Sequence, residues 1–173
     1  MASRKSSMMR RVLVFIVLAS ACGIDSGNRL RVGDPAPALW SEDGSGRPVV
    51  AWVMTGEDYL GCASAAGDLR HLQMRFGNAV RLSVVYVGDH PQWVAGFIRR
   101  ERVSARISQF SRSEFRKVFG RESLPSFYVV SGGTIVDRAA SPNGVDPPPE
   151  ASETIERAVE DAIGSRVNRG RRP

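Results

Sequence analysis

Two apolar runs constrain this chain more than anything else in it. PVVAWVMT (48–55) and AVRLSVVYVG (79–88) are of strand length and mostly apolar along their whole extent. Strands of that kind belong in the middle of a sheet that is covered on both faces. Between them Leu69, Leu72 and Phe76 recur at i, i+3 and i+7, and Gly77 follows. That spacing predicts a helix running from Cys62 to the glycine. Two buried strands joined through a helix form a right-handed parallel crossover.

The rest of the chain continues the alternation. HPQWVAGFIRRERV (90–103) predicts a second helix, with Pro91 in its first turn and Val94, Phe97 and Ile98 on one face. ARISQF (105–110) reads as a short strand. SRSEFRKVFG (111–120) reads as a short helix opened by the capping-box pair Ser111 and Glu114. SFYVVSGGTIVDR (126–138) predicts two strands turned by Gly132-Gly133. A last helix is expected from near Ser152, with Ile155, Val159 and Ile163 at i, i+4 and i+8. RVGDPAPALWSEDGSGR (31–47) reads as turns with a short hairpin, and SPNGVDPPPE (141–150) as a loop. The order predicts an α/β sandwich of three layers, a mixed central sheet with helices on both faces. Trp40, Trp52 and Trp93 are expected in or near its core.

A chain of 173 residues, 42% hydrophobic and 24% charged, has the composition of one globular domain. Its net charge of +6 is misleading. Arg4, Lys5, Arg10 and Arg11 lie in the first 21 residues, and Arg166, Arg169, Arg171 and Arg172 lie in the last eight. Neither segment holds an acid, so the part between them is slightly acidic. A nucleic-acid partner, which would want a basic face on the domain itself, is not expected.

The amino terminus reads as an export signal. MASRKSSMMRR is basic and polar, and VLVFIVLASA (12–21) is a short apolar run ending in small residues. Ten helical residues span about 15 Å, half of a bilayer core, so the run is too short to cross one. LASAC (18–22) resembles the bacterial lipobox, with Cys22 as the lipid-bearing residue and Leu18 one place further back than usual. The preferred reading is a lipoprotein of the cell envelope or periplasm, anchored to a membrane by its acyl chains. Free secretion is the other reading, and it leaves Cys22 open to a disulfide with Cys62. The expected organisation is a signal over 1–21, a tether over 22–31, a domain over 32–165 and a basic tail over 166–173.

Three segments carry a family likeness: VGDPAPAL (32–39), GCASAAGDLR (61–70) and LPSFYVVSGGTIVDR (124–138). Together with the element order they resemble the thioredoxin-like superfamily. More narrowly they resemble the exported redoxins, including the alkyl hydroperoxide reductase and thiol-specific antioxidant (peroxiredoxin) group. The resemblance implies a reactive Cys62 at the start of a helix and a substrate-orienting cis-proline at Pro125. It implies antioxidant or thiol-disulfide activity in cell redox homeostasis. A peroxide or disulfide would be the substrate, and an external thiol or thioredoxin-like reductase the electron donor. No cofactor is expected.

The departures are equally specific. A dithiol reductase would have its attacking cysteine at position 59, where this chain has Tyr59. A peroxiredoxin would have proline and threonine or serine where Thr55 and Tyr59 stand, and an arginine where Leu124 and Pro125 stand. Thr55 and Tyr59 therefore enter as substrate-orienting neighbours of Cys62. Helix-start N–H groups and the helix dipole favour the thiolate, whereas Glu57 and Asp58 just upstream oppose it. The other function that fits is a catalytically silent thioredoxin-fold module that binds a partner in the groove beside Tyr59 and Pro125. His71, nine residues after Cys62, falls on the opposite helix face. His90 reads as a helix start at a strand's carboxyl end. No metal-ligand spacing is present.

Overall fold

The computed structural model describes residues 29–41, 45–55, 59–120, 124–140 and 149–169; the side chains of residues 59–65, 91, 93, 140, 149–152 and 166–169 are not part of that description. The export signal, the lipobox with Cys22 and the end of the basic tail lie outside the described residues, and so does the side chain of Trp93.

The two apolar runs form strands β1 (Val49–Thr55) and β2 (Arg81–Val87), which pair in parallel with Thr55 opposite Val87. Helix α1 (Tyr59–Phe76) connects them. Helix α2 (Pro91–Arg100) leads to β3 (Ala105–Phe110), parallel to β2. Helix α3 (Arg112–Phe119) then leads to the antiparallel pair β4 (Ser126–Ser131) and β5 (Thr134–Ala140), and α4 (Pro149–Arg169) follows. The sheet order is β3-β2-β1-β4-β5, with β4 antiparallel to β1. It is a mixed five-stranded sheet, as the alternation of elements predicts.

Side chains along β1 alternate between the two faces, as the period of a strand requires. Val50, Trp52 and Met54 join a cluster with Ala66, Leu69 and Leu72 of α1, Val94, Phe97 and Ile98 of α2, and Ile155 and Val159 of α4. Val49, Ala51 and Val53 join another, with Phe115 and Phe119 of α3, Trp40 and Leu30. Both faces of β1 are therefore dry, and this is why its sequence shows no polar alternation. Leu30 is buried, so chain from the predicted tether is already packed into the core.

Four boundaries differ from the sequence expectations. Helix α1 begins at Tyr59 rather than Cys62. Gly61 made the preceding stretch look like loop, but an isolated glycine inside a helix costs only about 1 kcal/mol and is tolerated. Helix α4 begins at Pro149, since proline fits a helix's first turn, where its missing N–H is no loss. It also takes in Arg166 and Arg169 of the predicted tail. Helix α2 stops at Arg100, because Arg102 turns to φ 57° and Val103 N–H reaches back to the Ile98 carbonyl. The segment from Arg31 makes no hairpin among its described residues. It lies along β5 instead, with Gly33 N–H donating to Ile135 O and Ile135 N–H to Asp34 O. The hairpin from β4 to β5 does form as predicted: Gly132 and Gly133 both take positive φ, 60° and 75°, which a tight two-residue turn demands.

Candidate functional site

The topology gathers several of the sequence candidates at the carboxyl end of β1. Thr55 is the last residue of that strand and is half-buried. Helix α1 starts four residues later, so Cys62 is the fourth residue of the helix. Strand β4 runs the other way, with Ser126 paired to Val53, which brings the chain just before β4 to the same edge. There the Leu124–Pro125 peptide bond is cis and Pro125 is buried. Thr55, the first turn of α1 and Pro125 thus share one edge of the sheet, where ligands sit in α/β folds.

The earlier start of α1 changes the chemistry expected of Cys62. Tyr59, rather than Cys62, holds the first helical position. The first four N–H groups of a helix, from the residue before its first to its third, have no partner within it, so Cys62, the fourth helical residue, lies just past them. The positive end of the helix dipole acts within the first turn and falls off beyond it. That turn holds no acidic residue. Cys62 therefore stands one turn further into the helix than the sequence expectation put it, where helix-start assistance has begun to fall off. The side chains of Tyr59 and Cys62 lie outside the described residues.

The histidines separate. His71 is on α1 beyond the site, and its Nε2 lies 2.9 Å from Oε1 of Glu156 on α4. Arg75, one turn on, pairs with both Glu156 and Glu160. These contacts tie the far half of α1 to α4 and take His71 out of the chemistry. His90 caps α2 without a side-chain hydrogen bond and is exposed at the same carboxyl edge as Thr55. Among the described residues no group of three or more His, Cys, Asp and Glu side chains could hold a metal ion.

The sequence expectations missed two residues at this edge. Gly88, just past β2, has φ 152°, and a β carbon on it would stand 2.8 Å from the hydroxyl of Tyr86. Its backbone is held to β3 on both sides: its N–H donates to Phe110 O at 3.1 Å, and its carbonyl accepts from Gln109 Nε2 at 2.8 Å. Tyr86 itself is 3% exposed. The one signal in the sequence was a glycine two residues after a tyrosine at a strand's end, where a side chain of the same face is missing.

No protein-family model matches the sequence, and no curated protein resembles it closely enough to count as a relative. Solved structures do match it. A thioredoxin-like protein in its oxidized form superposes with a TM-score of 0.61 at 13% identity, covering 77% of this chain and 99% of that one. A thiol:disulfide interchange protein of the thioredoxin family from Chlorobium tepidum gives 0.55 at 13%, covering 79% and 99%. A secreted Mycobacterium tuberculosis disulfide oxidoreductase, homologous to E. coli DsbE, gives 0.54 at 14%, covering 67% and 82%. The fold is thioredoxin-like.

Proposed function

We propose that this chain is an exported thiol-dependent oxidoreductase acting through a single cysteine, Cys62. The observation that carries the reading is the convergence of buried Pro125 on the sheet edge where β1 gives way to the helix bearing that cysteine. The thioredoxin-like fold and the disulfide-exchange names of proteins that share it support a thiol or disulfide partner. In this reading the Cys62 thiolate attacks one sulfur of a substrate disulfide. The substrate S–S bond breaks, the leaving thiolate takes a proton from water, and a mixed disulfide remains. An external thiol then opens it and is itself oxidised. A peroxide substrate fits the same thiol: the O–O bond breaks, an alcohol or water leaves, and the sulfenic acid is reduced by two equivalents of external thiol. Pro125 orients the substrate, with Thr55 and Tyr59 beside it. The signal over residues 1–21 and lipidation at Cys22 would hold the domain at a membrane of the cell envelope.

The test uses the full chain carrying Cys22→Ser, so that Cys62 is its only thiol. Turnover of a small disulfide or of peroxide with an external thiol is expected, and Cys62→Ser should abolish it. Equal rates with and without Cys62 would overturn the reading. One observation favours a partner-binding module without chemistry: Tyr59 occupies the first position of α1, and Cys62 lies a turn inside. That alternative predicts an ordinary thiol pKa and a partner whose binding survives Cys62→Ser.

A further inference from the structure

A cavity of about 740 Å³ opens at the other end of the sheet, a volume ordinary for a small-molecule pocket. Val49, Arg81 and Ala105, the first residues of β1, β2 and β3, all line it. Ser83 of β2 lines it too, paired with Ala51 on β1 and with Arg106 on β3. Side chains on a strand alternate, so Ser83 shares the face of Val85, which packs with Phe115 and Phe119 of α3. Register partners in neighbouring strands stand about 5 Å apart on one face, which sets Arg106 beside Ser83.

Ser83 is 4% exposed, and its hydroxyl has no hydrogen-bond partner among the described residues. Ala51, on its other side, offers only a methyl group. A buried hydroxyl left unmet is costly, and in a strand face otherwise made of valine it calls for a reason. Trp40 lines the same cavity, and its buried Nε1–H likewise meets no acceptor among the described residues. Arg106 is exposed. Arg47 and Arg81 line the cavity as well, and Arg81 is steadied by donating from Nη2 to Ser41 O at 2.9 Å. No acidic side chain stands among the described lining residues. The cavity therefore offers donors and positive charge beside an apolar wall of Leu39, Trp40 and Val49. Its chemical complement is an acceptor group that carries negative charge on an apolar body.

We infer that this cavity binds a small organic acid. The carboxylate accepts from the Arg106 guanidinium, whose planar fork suits it, and from the Ser83 hydroxyl. The apolar body lies against Trp40, Leu39 and Val49. Cys62 plays no part in this, since the two sites lie at opposite ends of β1.

The experiment follows the indole Nε1–H resonance of Trp40 by NMR in the full chain, at constant salt. It is titrated with benzoate and with hexanoate, and in parallel with benzyl alcohol and with inorganic phosphate. The two carboxylates should shift the resonance saturably, and the uncharged alcohol and the phosphate should not. Arg106→Gln and Ser83→Ala should each weaken carboxylate binding by roughly tenfold. Arg106→Gln changes an exposed side chain, so that arm stands even if Ser83→Ala disturbs the sheet. No saturable shift with either carboxylate would overturn the inference. So would an equal response to benzyl alcohol or to phosphate, or carboxylate binding that Arg106→Gln leaves unchanged.

Discussion

Helices α3 and α1 differ in the charge of their first turns. At α3 the Ser111 hydroxyl accepts from Glu114 N–H at 3.3 Å, and the Glu114 carboxylate accepts from Ser111 N–H at 2.9 Å and from its hydroxyl at 2.7 Å. Two of the free N–H groups of that helix are met by its own side chains, and its first turn carries a carboxylate. Helix α1 has no acid in its first turn. Among its described side chains it is anchored by Leu69 and Leu72 and by the contacts of His71 and Arg75 with α4. A carboxylate in a helix's first turn answers the positive end of its dipole and opposes a thiolate nearby. The candidate thiol is on the helix whose first turn has none.

The largest effects should come from the core contacts that hold both helices. Phe119→Ala removes a ring stacked on Phe115 at 4.8 Å between centroids and should cost about 3–5 kcal/mol in denaturant unfolding. Leu69→Ala, fully buried under α1, should cost about 2–5 kcal/mol. A loss well below that range would mean that Leu69 does not anchor α1 to the sheet.

The cap tests the contrast on a smaller scale. Ser111→Ala should cost about 1 kcal/mol and leave Cys62 alkylation unchanged, since α3 lies on the other face of the sheet. The hydrogen bonds from Ser111 hold the Glu114 carboxyl below its ordinary value. Its folded-state pKa is depressed, so the stability it brings is complete above the usual carboxylate range and is lost as pH falls through the lowered value. A pH titration of unfolding for wild type and Glu114→Gln should therefore show a gap at neutral pH that closes in acid. A gap that persists at the acid end would show that the carboxylate charge is not what acts.

The smallest effect is expected at the bridge from α1 to α4. Arg75 and Glu160 are about half exposed, and pairs of that kind contribute at most about 1 kcal/mol. Arg75→Ala should lower stability by less than that, and the difference should shrink with added salt.

Much of the fold was legible because its signals are local. Ser111 and Glu114 stand three apart and form their box; Gly132-Gly133 turns its hairpin; the unbroken apolar character of 49–55 predicted a strand dry on both faces. The boundary errors arose where a local signal was overridden. Gly61 inside α1 and Pro149 at the head of α4 read as breakers, and both are accommodated by the helices around them. The site was legible only in part. Pro125 and Thr55 could be nominated from resemblance, but no spacing in the sequence joins them, since they stand seventy positions apart.

The sequence by itself determined which segments are strands and helices, which faces are apolar and that Cys62 lies near the start of a helix, because periodicity and capping act within a few residues. Only the tertiary structure decided that Pro125 meets the end of β1, that His71 is engaged with α4, and that Ser83 of β2 and Arg106 of β3 line one cavity. Those relations depend on strand order and register, which are set by how both faces of the sheet pack at once.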